Sequence, residues 1–413
     1  GTPPNNWLSS FGGPAWTWEP RRSQYYYHPF LSCQPALNLL NPAVFNAIAG
    51  EMRFWLDLGV DGFRLDAVQT YACDPDLRDN PPVSEAGPDI LVGGGPNNPF
   101  AKQSHLFDRD RPEALGIVEQ MRAVVDACDP PRVLIGELAD MDSSRLTEKY
   151  TQDDRMLHAA YDFDLINTPP EAGRLIALLR RRRRFMPTGW ILNAFSNHDA
   201  TRAVSNLTAF ACEAGRLREA AKMLLFLQVT LRGGAVIYQG EELGLPHPEL
   251  DFEDLRDPWG INLWPDFEGR DASRTPMPWL AEGAGAGFTD GEEPWLSVAA
   301  AHRPLAVDKQ EDDPDSVLAF FRSLVTWRRS EPVLLHGDEA VHGDDCSRLI
   351  AYDRFNKTRR LKIAVNFSTD LRFLPVDPAL LPVGPPGAVS DRTEHGVELP
   401  PLGFVALASD DPG

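Results

Sequence analysis

The sequence predicts an α/β protein with a parallel β-sheet, followed by a small antiparallel β-domain. Apolar strand-like runs alternate with helical patterns between residues 42 and 243, as in a sheet built from βαβ units. These runs are apolar throughout, which is typical of strands covered on both faces. From residue 337 the helical patterns stop, and short alternating strands are separated by proline-rich turns.

The first forty residues are rich in aromatic residues, proline and glycine, so we expect residues 1–40 to be the end of an irregular loop subdomain. Its aromatic residues, Trp16 among them, are expected to form one wall of the functional site. A helix is predicted from Pro42, because Asn41 is a favourable N-cap and proline is favoured at the first helical position. Gly59 should end this helix.

Five buried strands are predicted, and each ends in polar residues that include a carboxylate. In a (β/α)₈ barrel the active site lies at the carboxyl ends of the strands, so polar strand ends fit a TIM barrel. We therefore expect residues 41–336 to form the carboxyl-terminal part of such a barrel and residues 337–413 to form a β-sandwich domain. The runs lie at residues 60–68, 132–138, 156–165, 190–199 and 235–243.

Composition excludes several classes of function. The net charge is −20 and the pI is about 4.9, which disfavours nucleic acid and acidic membranes as partners. The five cysteines contain no CxxC pair, so neither a disulfide framework nor a zinc site is indicated, and a cytoplasmic location is expected. We expect no metal and no cofactor.

Three acidic residues, Asp66, Glu137 and Asp199, each lie near the end of a predicted strand. One such residue could be a helix N-cap, but three on one barrel indicate a cavity lined with carboxylates. A nucleophile, a proton donor and further negative charge are what glycoside hydrolysis requires. Arg64 should face the same side of its strand as Asp66 and keep it ionised. His198 is a candidate donor to a sugar hydroxyl.

Several motifs carry a resemblance to a known family. "GVDGFRLDAV", "IGEL" and "FSNHD" resemble the second, third and fourth conserved regions of the α-amylase superfamily, glycoside hydrolase family 13. "QPALN", "YQGEELGLP" and "GRDASRTPMPW" resemble its oligo-1,6-glucosidase and α-glucosidase branch. The motifs follow the family order over essentially the whole chain, so in combination they are highly specific.

The resemblance implies a retaining α-glucosidase that acts through a β-glucosyl–enzyme intermediate. It implies that Asp66 is the nucleophile, Glu137 the general acid/base and Asp199 the acid that stabilises the transition state. The carboxyls of a retaining pair should lie about 5–5.5 Å apart. Arg274 matches an arginine that helps to hold the non-reducing glucose, and Ala67, after the nucleophile, favours α-1,4 linkages such as that of maltose. The expected partners are a small α-glucoside and a sugar or alcohol acceptor.

Two departures leave other interpretations open. The first conserved region and the first three strands of the family barrel have no counterpart, so we expect an N-terminal segment of the same protein to be missing. One alternative is a glucosyl transferase or isomerase of the same branch, although the "RLDRD"-like motif of the sucrose isomerases is absent. Another is a non-catalytic scaffold relative, although such relatives usually lose one of the three acids.

Overall fold

The computed structural model describes residues 1–83, 98–139, 143–207, 215–291, 293–343, 348–385 and 392–409. It divides into two compact units, each made of several chain segments. The first unit comprises Gly1–Phe163, Met186–Ile191 and Asp257–Gly269, and the second comprises Asp164–Phe185, Leu192–Arg256 and Arg270–Gly413. None of the helices in the described residues combines the length and the apolarity that a membrane span requires.

The first unit begins with an aromatic hairpin that the sequence did not predict. Strands β1 (Trp16–Glu19) and β2 (Gln24–Tyr27) pair in antiparallel register, with Trp16 opposite Tyr27 and Trp18 opposite Tyr25. Cross-strand aromatic pairs stabilise such a ribbon, and the ring centroids of Trp16 and Tyr27 lie 5.3 Å apart. The segment is therefore more regular than the expected loop subdomain.

Helices and parallel strands alternate in the rest of the first unit, as predicted. Strand β3 pairs with β4, and β4 pairs with β5, both in parallel register. The core between these strands and helices α1 and α2 contains Leu65, Leu134, Leu138, Met52 and Ile117. The elements are α1 (Pro42–Asp57), β3 (Gly62–Leu65), α2 (Pro112–Asp126), β4 (Val133–Leu138), α3 (Ser143–Thr151) and β5 (Ala159–Asp162).

Helix α1 shows how local sequence sets an element boundary. The side chain of Asn41 accepts a hydrogen bond from the Ala43 amide at 3.0 Å, and Pro42 occupies the first turn. At the other end Gly59 adopts a φ of +99°, which costs glycine little and stops the helix. Both predicted ends of this helix are confirmed.

The second unit contains the remaining helices, the last parallel strands and the carboxyl-terminal strands. Leu192 and Asn193 of β6 pair in parallel with β7, which is only two residues long. The strand predicted over residues 235–243 is therefore present only at Ala235, and Glu241–Leu243 form a 3₁₀ helix instead. The elements here are α4 (Asp164–Asn167), α5 (Ala172–Phe185), β6 (Ile191–Asn193, whose first residue belongs to the first unit), α6 (Leu217–Thr230), β7 (Gly234–Ala235), α8 (Val307–Gln310), α9 (Val317–Ser330) and α10 (Pro332–His336); α7 (Pro258–Leu263) lies in the first unit.

Two antiparallel sheets follow, as the sequence predicts. The first has the order β12–β15–β10–β9–β8 and the second the order β11–β14–β13. Alternate residues of β10 and β15 point to opposite faces, so Ile363 and Phe404 pack with α6 and α9, whereas Ala364 and Val405 pack against the second sheet. The strands are β8 (Asp338–His342), β9 (Leu349–Phe355), β10 (Arg360–Asn366), β11 (Arg372–Pro375), β12 (Leu381–Val383), β13 (Arg392–Thr393), β14 (Gly396–Leu399) and β15 (Phe404–Ala408).

Candidate active site

The first unit brings a guanidinium between two of the predicted acids. Arg64 lies on β3, and its Nη1 donates to the carboxylate of Asp66, the residue that directly follows this strand. Its Nη2 donates to Oε2 of Glu137 at 2.7 Å, and Glu137 is the penultimate residue of the neighbouring strand β4. Because β3 and β4 pair in parallel, the predicted nucleophile and the predicted acid/base both accept hydrogen bonds from the same guanidinium, that of Arg64.

The two acids differ sharply in their exposure. The side chain of Asp66 is 71% exposed, whereas that of Glu137 is only 9% exposed. The pKa of Glu137 is raised from 4.5 to about 7, mainly because the group is buried and also because of the charge of Asp66. Arg64 and the Ala67 amide, which donates to Oε2 of Glu137 at 3.2 Å, oppose this rise. Glu137 can thus hold a proton near neutral pH, which is the property of a general acid.

Two features around this pair were not predicted. Tyr161 accepts a hydrogen bond from Nη2 of Arg64 at 2.7 Å, and it lies opposite Glu137 in the register of β5 with β4. Only the pairing of the strands reveals this partner, because 97 residues separate it from Arg64. Ala67 has a φ of +42° in the left-handed region, so the residue after Asp66 is held in a strained conformation.

The second unit holds the third acid among two arginines and a histidine. Oδ1 of Asp199 accepts from Nη2 of Arg274 at 2.7 Å and from Nη1 of Arg270 at 3.2 Å. Nε2 of His198 lies 3.4 Å from Oδ2 of the same carboxylate. Asp199 does not close a strand as predicted, because β6 ends at Asn193 and the acid lies in the loop that follows. Sequence reasoning passed over Arg270, although it lies in the same motif as Arg274.

Hydrogen bonds to the backbone hold this loop in place. Asn197 accepts from the amide of Asp199 at 2.8 Å, and Nε of Arg274 donates to the carbonyl of His198 at 2.8 Å. Arg274 therefore contacts both the side chain of Asp199 and the backbone beside it. Such an arrangement offers a fixed carboxylate that is still 20% exposed and can accept hydrogen bonds from a ligand hydroxyl.

The described residues contain no group of three or more His, Cys, Asp or Glu side chains arranged to hold a metal ion. A cavity of about 450 Å³ lies in the first unit and is lined by Trp16, Tyr27 and Tyr71, among others. Trp16 therefore borders a cavity, as the aromatic wall expected from the sequence would require. That these aromatic residues form a wall of the functional site stays a prediction.

Comparison with known proteins gives a consistent result. The family model for "Alpha amylase, catalytic domain" matches residues 1–337. A protein named "Probable alpha-glucosidase" from Rhizobium meliloti (strain 1021) is 41% identical over 416 residues, which cover 99% of this chain and 74% of that protein. An "Oligo-1,6-glucosidase" from Heyndrickxia coagulans is 31% identical, with coverage of 89% and 69%.

A solved structure resembles the whole chain. The crystal structure of the alpha-glucosyl transfer enzyme XgtA superposes with a TM-score of 0.91 at 41% identity, and it covers 99% of this chain and 75% of that one. The chain thus spans about three-quarters of the length of these two 41%-identical proteins.

Proposed function

The chain belongs to the alpha-amylase family, with its (β/α)₈ barrel and C-terminal antiparallel β-domain, and on that premise we propose that it is a retaining α-glucosidase. It releases α-glucose from the non-reducing end of short α-glucosides, with α-1,4-linked maltose as the preferred type. The observation that carries this proposal is the Arg64 guanidinium shared by an exposed Asp66 and a buried Glu137. Two carboxyl groups on one guanidinium fit the close spacing of a retaining pair.

In the proposed first step Asp66 attacks the anomeric carbon and forms a β-glucosyl ester. Its carboxylate is accessible, and a hydrogen bond from the adjacent Arg64 guanidinium orients it. Glu137 donates its proton to the departing glycosidic oxygen, so the leaving sugar departs as an alcohol. Its raised pKa of about 7, which is due mainly to burial, suits it to this role.

In the second step Glu137, now a carboxylate, removes a proton from water, which attacks the ester and regenerates Asp66. Two inversions at the anomeric carbon give net retention. We assign to Asp199 the stabilisation of positive charge in both transition states and the binding of sugar hydroxyls, with His198 and Arg274 as its partners. We assign Ala67 to the binding of the acceptor or leaving sugar. A change of one methyl group in such a pocket alters the discrimination between substrates by about 1–3 kcal/mol.

Proton NMR of maltose with the purified protein tests the proposal. The first glucose released from the non-reducing end should be the α-anomer, with the β-anomer appearing later by mutarotation. Release of β-glucose first would refute the retaining mechanism. An absence of turnover would refute the proposal that this chain acts as an α-glucosidase.

Transfer of glucose to a sugar or alcohol is a second candidate activity, favoured by the likeness to the alpha-glucosyl transfer enzyme XgtA. Transfer requires an acceptor hydroxyl to replace water in the second step. Incubation with maltose and glycerol, followed by mass spectrometry, measures the ratio of glucosyl glycerol to free glucose. A ratio below that expected from glycerol and water competing at random would refute a transferase.

Exposed apolar side chains on and beside α1 support the proposal that a further segment of the same protein packs against this helix. Phe54, Trp55 and Leu58 on or beside this helix are each at least half exposed. Among the described residues β3 pairs with β4 alone, and the described parallel strands number five where a complete barrel has eight. We propose that further β/α units of the same protein cover these apolar side chains. A longer polypeptide with those units should bind less of an apolar dye; equal binding would refute this.

A cytoplasmic location is also proposed. Cys33, Cys73 and Cys128 are free thiols in the structure, which suits a reducing compartment. Cys212 and Cys346 lie outside the described residues. Cell fractionation followed by immunoblotting tests the location, and recovery in the periplasmic or extracellular fraction would refute it.

A further inference from the structure

We propose that Arg202 is a positioning residue that holds Arg274 against Asp199, and this inference rests on the function proposed above. Arg202 lies three residues beyond Asp199 and is only 2% exposed. It has no place in the mechanism described so far. The loop containing Asp199, the loop after β7 and the segment Asp271–Arg274 all meet at its guanidinium.

The guanidinium bonds to neutral groups from two different segments. Nη1 donates to the carbonyl of Gln239 at 2.8 Å, and Nη2 donates to the carbonyl of Ser273 at 3.0 Å. Nη2 also lies 3.5 Å from the hydroxyl oxygen of Thr275, which is a longer contact. Burial lowers the pKa of Arg202, and the nearby Tyr238, Glu241 and Glu242 oppose this shift. The two backbone carbonyls compensate in part for the loss of water around the guanidinium.

Ser273 carries the effect of Arg202 to the candidate site. Its carbonyl accepts from Arg202, and its hydroxyl lies within hydrogen-bond distance of two carbonyls, that of Arg270 at 2.8 Å and that of His198 at 3.1 Å. The next residue is Arg274, which donates to the carbonyl of His198 and to the carboxylate of Asp199. A displacement of Ser273 would therefore move Arg274 and the backbone beside Asp199 together.

The loop after β7 supports Arg202 from the other side. Tyr238 donates from its hydroxyl to the Ser273 carbonyl at 2.9 Å, and its ring centroid lies 5.6 Å from Cζ of Arg202. Gly240 has a φ of +92°, and a Cβ there would lie 2.6 Å from Nη1 of Arg202. Glycine at this position thus permits both the backbone turn and the close approach of the guanidinium.

Arg354 provides a matched control in the same unit. It is fully buried, and its guanidinium also donates to backbone carbonyls, among them those of Thr230 and Gly337. Its hydrogen-bond acceptors among the described residues do not include Asp199, and none lies beside Arg274, so its loss should affect stability without affecting the alignment of those two side chains. Lysine at either position keeps the charge but cannot reproduce the planar fork of donors.

The first experiment measures kcat and KM for maltose in Arg202→Lys and Arg354→Lys, below the melting temperature of both variants. Misplacement of catalytic groups by about 1 Å can cost on the order of 100-fold in rate. We expect Arg202→Lys to lower kcat by roughly 10- to 100-fold and Arg354→Lys to change it by less than about twofold. Both variants should melt at lower temperature than the wild type. A lower melting temperature for Arg202→Lys with kcat unchanged would overturn the proposal.

A double-mutant cycle with Arg274→Lys shows whether Arg202 acts through Arg274. If it does, Arg202→Lys should reduce kcat/KM by less than about threefold in the Arg274→Lys background, because residues that act together are not additive. Arg354→Lys should have the same small effect in both backgrounds. If Arg202→Lys reduced kcat/KM by the same factor in the wild-type and Arg274→Lys backgrounds, the inference would be contradicted.

Amide hydrogen exchange separates this inference from the proposed function, because it needs no turnover. Arg202→Lys should speed exchange in residues 197–200 and 270–275, and Arg354→Lys should not. Unchanged exchange in both segments would overturn the positioning role even if the enzyme is active. If the wild type fails to hydrolyse maltose but exchange responds as expected, the proposed function falls and the positioning of Arg274 stands.

Discussion

The protonation of Glu137 gives the sharpest prediction for activity. With its usual pKa of 4.5, a glutamic acid at pH 7 would be protonated in only about 0.3% of molecules. With the raised pKa of about 7, to which burial contributes most, about half of the molecules carry the proton. The raised pKa therefore increases the protonated fraction of the proposed acid more than a hundredfold, which corresponds to roughly 3 kcal/mol at 1.36 kcal/mol for each tenfold change.

The assay is the pH dependence of kcat/KM for maltose between pH 4 and pH 9. We expect kcat/KM to fall tenfold per pH unit above about pH 7, as free enzyme loses the Glu137 proton. Glu137→Gln should lower kcat/KM by about 10² to 10⁴ and abolish this alkaline limb. α-Glucosyl fluoride should lose far less rate in the same variant, because fluoride leaves with little help from a proton donor.

Glu241 is the necessary control, because burial also raises its pKa, to about 8. In Glu241→Gln the alkaline limb should keep its midpoint near pH 7, whatever the absolute rate. A limb that moves in Glu241→Gln, or one that persists at the same midpoint in Glu137→Gln, would refute the assignment of Glu137 as the titrating acid.

Three further predictions concern stability and the aromatic cavity. Glu241 accepts a hydrogen bond from Ser196 inside the second unit, and its pKa in the folded protein, about 8, lies above the usual 4.5. The contribution of protonated Glu241 to the free energy of unfolding is therefore complete below pH 4.5 and is lost as the pH rises through 8. Glu241→Gln should reduce the fall in melting temperature between pH 5 and pH 8, and an unchanged fall would contradict this. Ala67→Val should lower the free energy of unfolding in urea by about 1 kcal/mol or more, because a β-branched residue fits the left-handed region poorly; no loss would argue against that conformation. Trp16→Ala should raise the KM for maltose, as expected if the 450 Å³ cavity contributes to substrate binding, and unaltered kinetics would exclude the aromatic wall.

The helices and strands could be predicted where local rules decide the structure. Asn41, Pro42 and Gly59 mark the two ends of α1 because capping and a positive φ depend on neighbouring residues alone. The contact of Arg64 with Asp66 was predictable for the same reason, since residues two apart in a strand share a face.

Partners that are distant in the sequence could not be predicted. Tyr161 contacts Arg64 only because β4 lies between their strands, and Arg202 reaches Ser273 only because three loops converge. Arg270 could have been predicted as a second partner of Asp199, since it lies four residues before Arg274 in the same motif and donates to the same carboxylate oxygen.

The run of five arginines from 180 to 184 lies in the last turns of α5, where the helix dipole favours cations, and four of the five residues are at least partly exposed. Arg182 is the buried exception and donates to Asn193 at 3.1 Å, and Arg183 forms a two-pronged ion pair with Asp338. Both partners come from later parts of the chain, so the charge run alone did not indicate them.

The most direct test of the account is to trap the intermediate on Asp66. 5-Fluoro-α-D-glucosyl fluoride forms such esters readily and slows their hydrolysis, so the intact mass of the protein should rise by one fluoroglucosyl group. Peptide mapping should place that group on Asp66, and Asp66→Asn should not be labelled. Labelling of any other residue, or equal labelling of Asp66→Asn, would contradict the proposed nucleophile and the mechanism built on it.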